Sequence, residues 1–220
     1  MKLIEELRAE HELIEAVVGA LRTWVERYLA GAAGADDGLR FVRFFRVYAA
    51  GLHHGREEDL LFRALVGSAC LPDAGPIAVL RDDHRRTDVV LSRIEALVSS
   101  ASPLDETRAH ELRCRAVEYS HALWRHIDAE NSVLFPESEP RLRRAGVFEL
   151  PTRPPTVEED EAHDLGRALV AAYPPLHDPE VVRGDGCVCC PALGESCPGL
   201  EHAWWSDSEW EELDDHLGEG

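Results

Sequence analysis

Six residues have the types and spacing to hold a pair of metal ions: His11, His53, Glu57, His84, His126 and Glu130. A shift of 73 residues along the chain superimposes His11 on His84, His53 on His126, Glu57 on Glu130, and Leu61-Phe62 on Leu134-Phe135. Within each copy a glutamate follows a histidine by four residues. Positions i and i+4 share one face of a helix, so each pair aims an imidazole and a carboxylate at one spot. Buried alone, such carboxylates would be costly. A cation removes that cost, and a carboxylate shared by two cations bridges them. A single core histidine is usually one that has found a hydrogen bond; four, one in each helical segment, make a ligand set. Mixed nitrogen and oxygen donors suit iron(II), with manganese and zinc as alternatives.

The repeat also sorts the neighbouring candidates. His54 and Glu58 share the four-residue spacing, but the shift carries them onto Ile127 and Asn131. They are therefore read as groups around the ligands or on a solvated surface. Glu15 and Asp88 each follow a lone histidine by four. They are extra ligands, groups that orient the imidazoles, or part of a solvated face. His121 falls on Tyr48, each five residues before a ligand histidine; packing is the expected role of both, lining the site the alternative.

Four helices must position these residues. Ile4, Leu7, His11, Ile14, Val18, Leu21, Val25 and Tyr28 recur at steps of three and four, as do Ile77, Leu80, His84, Thr87, Leu91, Ile94 and Val98. Each series is a core-facing stripe with a histidine in its middle. The spacing and punctuation predict helices over about 2–30, 37–66, 76–100 and 103–135. Asp36 or Asp37 should cap the second. Ser102 should cap the fourth, with Pro103 at its first position and Asp105 in its first turn, and Pro136 and Pro140 should end it. Short connections make the fold all-α, an antiparallel up-down four-helix bundle over residues 1–150.

Residues 151–220 differ in character and are read as a C-terminal extension. After the linker PTRPP, Thr156 and Glu159 form a capping-box pattern for a short helix through Ala172. The formal charge is -19 over 220 residues, and -14 of it falls in this extension. That charge disfavours nucleic acid and anionic membranes as partners. No apolar run reaches the roughly 18 residues of a membrane span, and the amphipathic MKLIEELRAEHELIEA does not read as a signal peptide. A cytoplasmic location is the expectation.

Cys187, Cys189, Cys190 and Cys197 crowd into the extension without the paired spacing of a common zinc ribbon. A zinc or iron–sulfur site, a redox-active thiol cluster and unbound cysteines all fit. Trp204, Trp205 and Trp210 are expected to pack on the bundle.

The order of motifs is specific. A lone histidine, H-x-x-x-E followed by LLF, a second lone histidine, and H-x-x-x-E followed by VLFP resemble the hemerythrin-like (HHE cation-binding) domains. The resemblance covers residues 1 to about 150. It implies a non-haem di-iron centre with His11, His53, His84 and His126 as terminal ligands and Glu57 and Glu130 as bridges. Oxygen-carrying hemerythrins have a second histidine where Asp88 stands, which argues against reversible carriage. Bacterial relatives are linked to O2 or NO sensing, peroxide decomposition, iron handling and repair of iron centres. A small diatomic or peroxide ligand is the expected partner, with catalase- or peroxidase-like turnover and iron storage as alternatives.

Overall fold

A computed structural model describes residues 1–69, 75–100 and 104–176. The described chain is helical, with no strand among its described residues. Helix α1 is Lys2–Leu29. Helix α2 starts as Ala35–Phe44, widens to π-helical turns over Phe45–His54 and Glu57–Phe62, and finishes as Arg63–Gly67. Helix α3 is Gly75–Val98. Helix α4 runs Glu106–Ala129, widens over Glu130–Leu134, and continues as Phe135–Arg144. A fifth helix, α5, is Val157–Ala172.

The first four helices form the bundle, with α4 packed against both α1 and α3, and α2 against α1 and α3. Its interior has two apolar clusters. One gathers Ile14, Trp24, Phe41, Phe44, Leu91 and Trp124; the other gathers Leu3, Leu7, Phe62, Leu80, Leu134 and Phe135. Each fully buried side chain of this kind contributes about 1.5–3 kcal/mol. The histidine-bearing stripe lies between the clusters in sequence register, so apolar packing clamps all four helices on either side of it.

Three helix ends differ from the sequence expectation. Helix α2 begins about two residues earlier, with Gly34 as its N-cap, and Asp36 and Asp37 sit in its first turn. Asp37 instead accepts hydrogen bonds from Arg40, at 2.8 Å, and from Tyr173. Helix α4 begins at Glu106 with Asp105 as N-cap, its side chain accepting from the Arg108 amide at 2.8 Å; Ser102 and Pro103 lie outside the described residues. At its other end α4 runs through Pro136 and Pro140 to Arg144. The wide turn explains the first proline: Arg8 Nη2 donates to the Asn131 carbonyl at 3.0 Å, the acceptor that the missing Pro136 amide would otherwise serve.

Helix α5 opens on the expected capping box, with the Thr156 hydroxyl and the Glu159 carboxylate each taking the other's backbone amide. It packs on α1 and α2, and Ala162, Leu169 and Tyr173 join the first apolar cluster. The fit is close at Gly166, where a Cβ would lie 2.5 Å from the Phe44 ring. Cys187, Cys189, Cys190, Cys197 and the three tryptophans expected to pack on the bundle lie outside the described residues.

Candidate metal centre

The wide turns of α2 and α4 fall on the H-x-x-x-E motifs. A π-helical turn adds a residue to the repeat and re-aims the side chains around it. His53 lies in the last turn of one such segment, which ends at His54, and Glu57 begins the next; Glu130 begins the third. All six sequence-selected residues are buried, and Glu57, Glu130 and His53 are fully so.

Their polar atoms converge. His53 Nε2 lies 3.3 Å from Glu57 Oε1, and His84 Nε2 lies 3.4 Å from Glu57 Oε2. Glu130 Oε2 lies 3.3 Å from His11 Nε2 and 3.4 Å from His126 Nε2. His84 and His126 face each other, Nε2 to Nε2, at 3.0 Å. Both carboxylates thus span a His11/His53 half and a His84/His126 half. Two donor sets follow, His11, His53, Glu57 and Glu130 in one and His54, Glu57, His84 and His126 in the other, each with its donor atoms within 4.8 Å of one another. Two donors each about 2.1 Å from one ion, at a right angle, lie about 3 Å apart. The observed spacings fit an ion held between them.

The buried atoms that lack hydrogen bonds make the same point. Both oxygens of Glu57, both of Glu130, and Nε2 of His11 and of His53 have no hydrogen-bond partner among the described residues. Leaving buried polar atoms unpaired costs about 1–3 kcal/mol each, more for charged groups. A cation is the partner this donor chemistry suits.

Around the ligands runs a ring of acceptors. His53 Nδ1 lies 2.9 Å from Glu10 Oε2 of α1, and His84 Nδ1 lies 2.7 Å from Glu58 Oε1 of α2. His126 Nδ1 lies 3.8 Å from Asp83 Oδ2 of α3, and His11 Nδ1 lies 3.1 Å from Asn131 Oδ1 of α4. Helices α1, α2 and α4 each place an acceptor within hydrogen-bond distance of the imidazole of the next, whereas Asp83 of α3 stops short of His126. Such partners fix the tautomer and turn Nε2 toward the metal. Phe135 stacks on His11 at 5.4 Å and Phe62 on His84 at 6.1 Å between ring centroids, again one repeat apart.

The electrostatics follow from this crowding. Burial opposes charge on His84, but the neighbouring carboxylates of Glu57 and Glu58 outweigh it and raise its pKa to about 9. His53, where burial dominates, is pushed down to about 3. Burial also opposes ionisation of Glu130, yet His126, His11 and His84 hold it below the ordinary range. Glu10 is raised to about 7, chiefly by burial, although Arg56 hydrogen-bonds to it.

The chain belongs to the hemerythrin HHE cation-binding family.

The family model matches residues 2–138, and those residues contain all six clustered histidines and glutamates. No curated protein and no solved structure matched the chain. The remaining candidates take distinct places in this hemerythrin-type bundle. His54 is buried and stacks on His84, whereas Glu58 is half-exposed and hydrogen-bonds to it. Asp88 is exposed and held by Arg46. Glu15 and His121 are half-buried and belong to neither donor set, His121 lying 6.2 Å from the Trp124 ring.

The sequence reading missed Glu10 and Asp83 altogether. A signal was present: an acidic residue precedes each lone histidine, and the two are 73 residues apart. Glu58 and Asn131, also related by the shift, had looked mismatched because only one is acidic. Both are hydrogen-bond acceptors, and that is the property the ring uses.

Proposed function

We propose that this protein holds two non-haem iron ions, with His11, His53, His84 and His126 as terminal ligands and Glu57 and Glu130 as bridges. There it binds O2, NO or peroxide, in cytoplasmic sensing or in defence against oxidative and nitrosative stress. One observation carries the reading: two fully buried carboxylates without hydrogen bonds lie between imidazoles of both halves. A ferrous pair supplies electrons and coordination positions open to a small ligand.

The chain's own residues do the rest. Glu10, Glu58 and Asn131 hold three imidazole rings with Nε2 inward. Phe62 and Phe135 pack against two of those rings, and the adjoining apolar cluster limits water and bulky substrates. A cleft of about 610 Å³, lined in part by Glu10, Tyr48, Arg56, Arg153 and His163, lies outside Glu10. Glu10 therefore stands between solvent and His53.

The test is to purify the protein without air, measure its metals, and record optical spectra on adding O2, NO and H2O2 in turn. Iron with a distinct spectral change for at least one of the three is the expected result. Zinc alone, silent to all three, would overturn the proposal. Rapid O2 evolution from H2O2 would move the assignment to peroxide turnover.

A further inference from the structure

The internal repeat is broken at a buried position beside the candidate metal centre. His54 corresponds to Ile127 under the 73-residue shift, and both are buried. The position is thus an imidazole in one copy of the repeat and, in the other, an aliphatic side chain that belongs to the apolar core. One ring nitrogen of His54 lies within 4.8 Å of donor atoms on Glu57, His84 and His126.

That proximity alone would suggest a seventh ligand, but the ring geometry argues otherwise. His54 and His84 are stacked, centroids 3.8 Å apart and planes inclined by 9°. An imidazole nitrogen binds a metal through a lone pair in the plane of its ring, at about 2.0–2.1 Å. Two nearly parallel rings stacked at that distance have no common point within a bond length of both in-plane lone pairs. An ion bound by His84 Nε2 is therefore out of the plane of His54. His84 is committed to its orientation by Glu58 at Nδ1 and by Glu57 and His126 at Nε2. His54 is left beside the ion's surroundings rather than on it, with the N–H donor that every neutral imidazole carries.

The other residue that might complete this half is elsewhere. Asp88, one turn beyond His84, is exposed and paired with Arg46. Helix α3 thus offers a single imidazole, and an ion held by the His84/His126 half would keep a coordination position for a small molecule.

The geometry points to His54 as the hydrogen-bond donor to a small polar ligand seated on the His84/His126 half of the centre. It makes that half, rather than the His11/His53 half with Ile127 as the counterpart residue, the ligand-binding side. This inference rests on the proposed two-metal centre. His54 is a positioning residue for the incoming ligand and not a member of the metal-binding set.

The experiment uses azide as probe on the oxidised, metal-loaded full chain, comparing the parent protein with His54→Ile, which copies the repeat, and His54→Gln, which keeps an N–H donor. Metal content, helicity, azide affinity and the vibrational shift of bound azide in D2O are measured together. We expect unchanged metal content and helicity in both variants. Azide should bind about tenfold more weakly to His54→Ile, with loss of the D2O-sensitive shift, and close to normally to His54→Gln. Loss of one metal per chain in both variants would make His54 a ligand and overturn the inference. Unaltered affinity and shift in His54→Ile would reduce it to packing and also overturn it. A parent protein that binds no metal pair, or no azide, would count against the two-metal reading itself, which separates the two failures.

Discussion

Glu10 and Asp83 stand one repeat apart, and each directs a carboxylate at Nδ1 of the clustered histidine on the next helix. Glu10 Oε2 comes within 2.9 Å of His53, whereas Asp83, one methylene shorter, stops 3.8 Å from His126. His126 Nδ1 has no hydrogen-bond partner among the described residues as a result. The two halves of the centre are therefore unequally braced.

Opposite outcomes follow for the two positions. Glu10→Ala frees His53 to turn and should weaken metal binding about 10–100-fold. Asp83→Glu closes the gap to His126 and should strengthen retention of one of the two metals. Competition with a graded series of chelators measures both, and weakening in both variants would refute the bracing account.

Asp88 provides a contrast. It shares the four-residue spacing after a lone histidine, yet its carboxylate faces Arg46 at the surface, beside Ser92 and Glu95. Asp88→Ala should leave metal content unchanged and lower stability by no more than about 1 kcal/mol, the usual worth of an exposed pair. A metal assay showing loss of one ion would place Asp88 in the ligand set instead.

The metal-free protein should be sensitive to pH in a particular direction. Although burial opposes its charge, His84 is raised to about 9 by Glu57 and Glu58, and His11 is raised against the same opposition by Glu130 and Glu57. A raised imidazole contributes stability that is complete below its unfolded pKa of about 6.5 and is lost as pH rises through about 9. Metal needs the neutral ring, so metal uptake at pH 7 should release protons and the apparent affinity should fall as pH falls. Titration in weakly buffered solution reads the protons directly. An affinity constant between pH 6 and 8 would contradict the assignment.

Helix α5 offers an independent check on stability. Glu159 is held down to about 2, first by its paired hydrogen bonds with Arg153, at 2.6 Å each, and then, against burial, by Thr156. A depressed carboxylate contributes stability above its unfolded pKa and loses it as pH falls through the folded value. Glu159→Gln should therefore cost about 1 kcal/mol at pH 7, a figure reduced because Arg153 is half-exposed, and the cost should fade as pH falls toward 2. Thermal unfolding at pH 7 and pH 3 tests this; an equal deficit at both would assign the loss to packing.

Much of this arrangement is legible in the sequence, for identifiable reasons. The stripes of α1 and α3 and the Thr156 box rest on side chains within a few residues of one another, and local rules capture them. The passage of α4 through Pro136 involves Arg8, whose guanidinium reaches the carbonyl of Asn131, 123 residues further along the chain. No local pattern announces that contact. The acceptor ring was hidden for another reason. Glu10 adjoins His11 in sequence but serves His53, and Glu58 adjoins Glu57 but serves His84. Comparison along one helix face does not pair residues across helices. The repeat selected six converging residues by symmetry, and for the same reason it set aside His54, whose interest is that it departs from the symmetry.

The central claim is a pair of metals bridged by Glu57 and Glu130. Anaerobic titration of the metal-free protein with iron(II), followed to its end point, tests it most directly. The account predicts an end point of about two ions per chain in the parent protein and of one or none in Glu57→Ala. An end point of one ion in the parent protein, or of two in the Glu57→Ala variant, would contradict it.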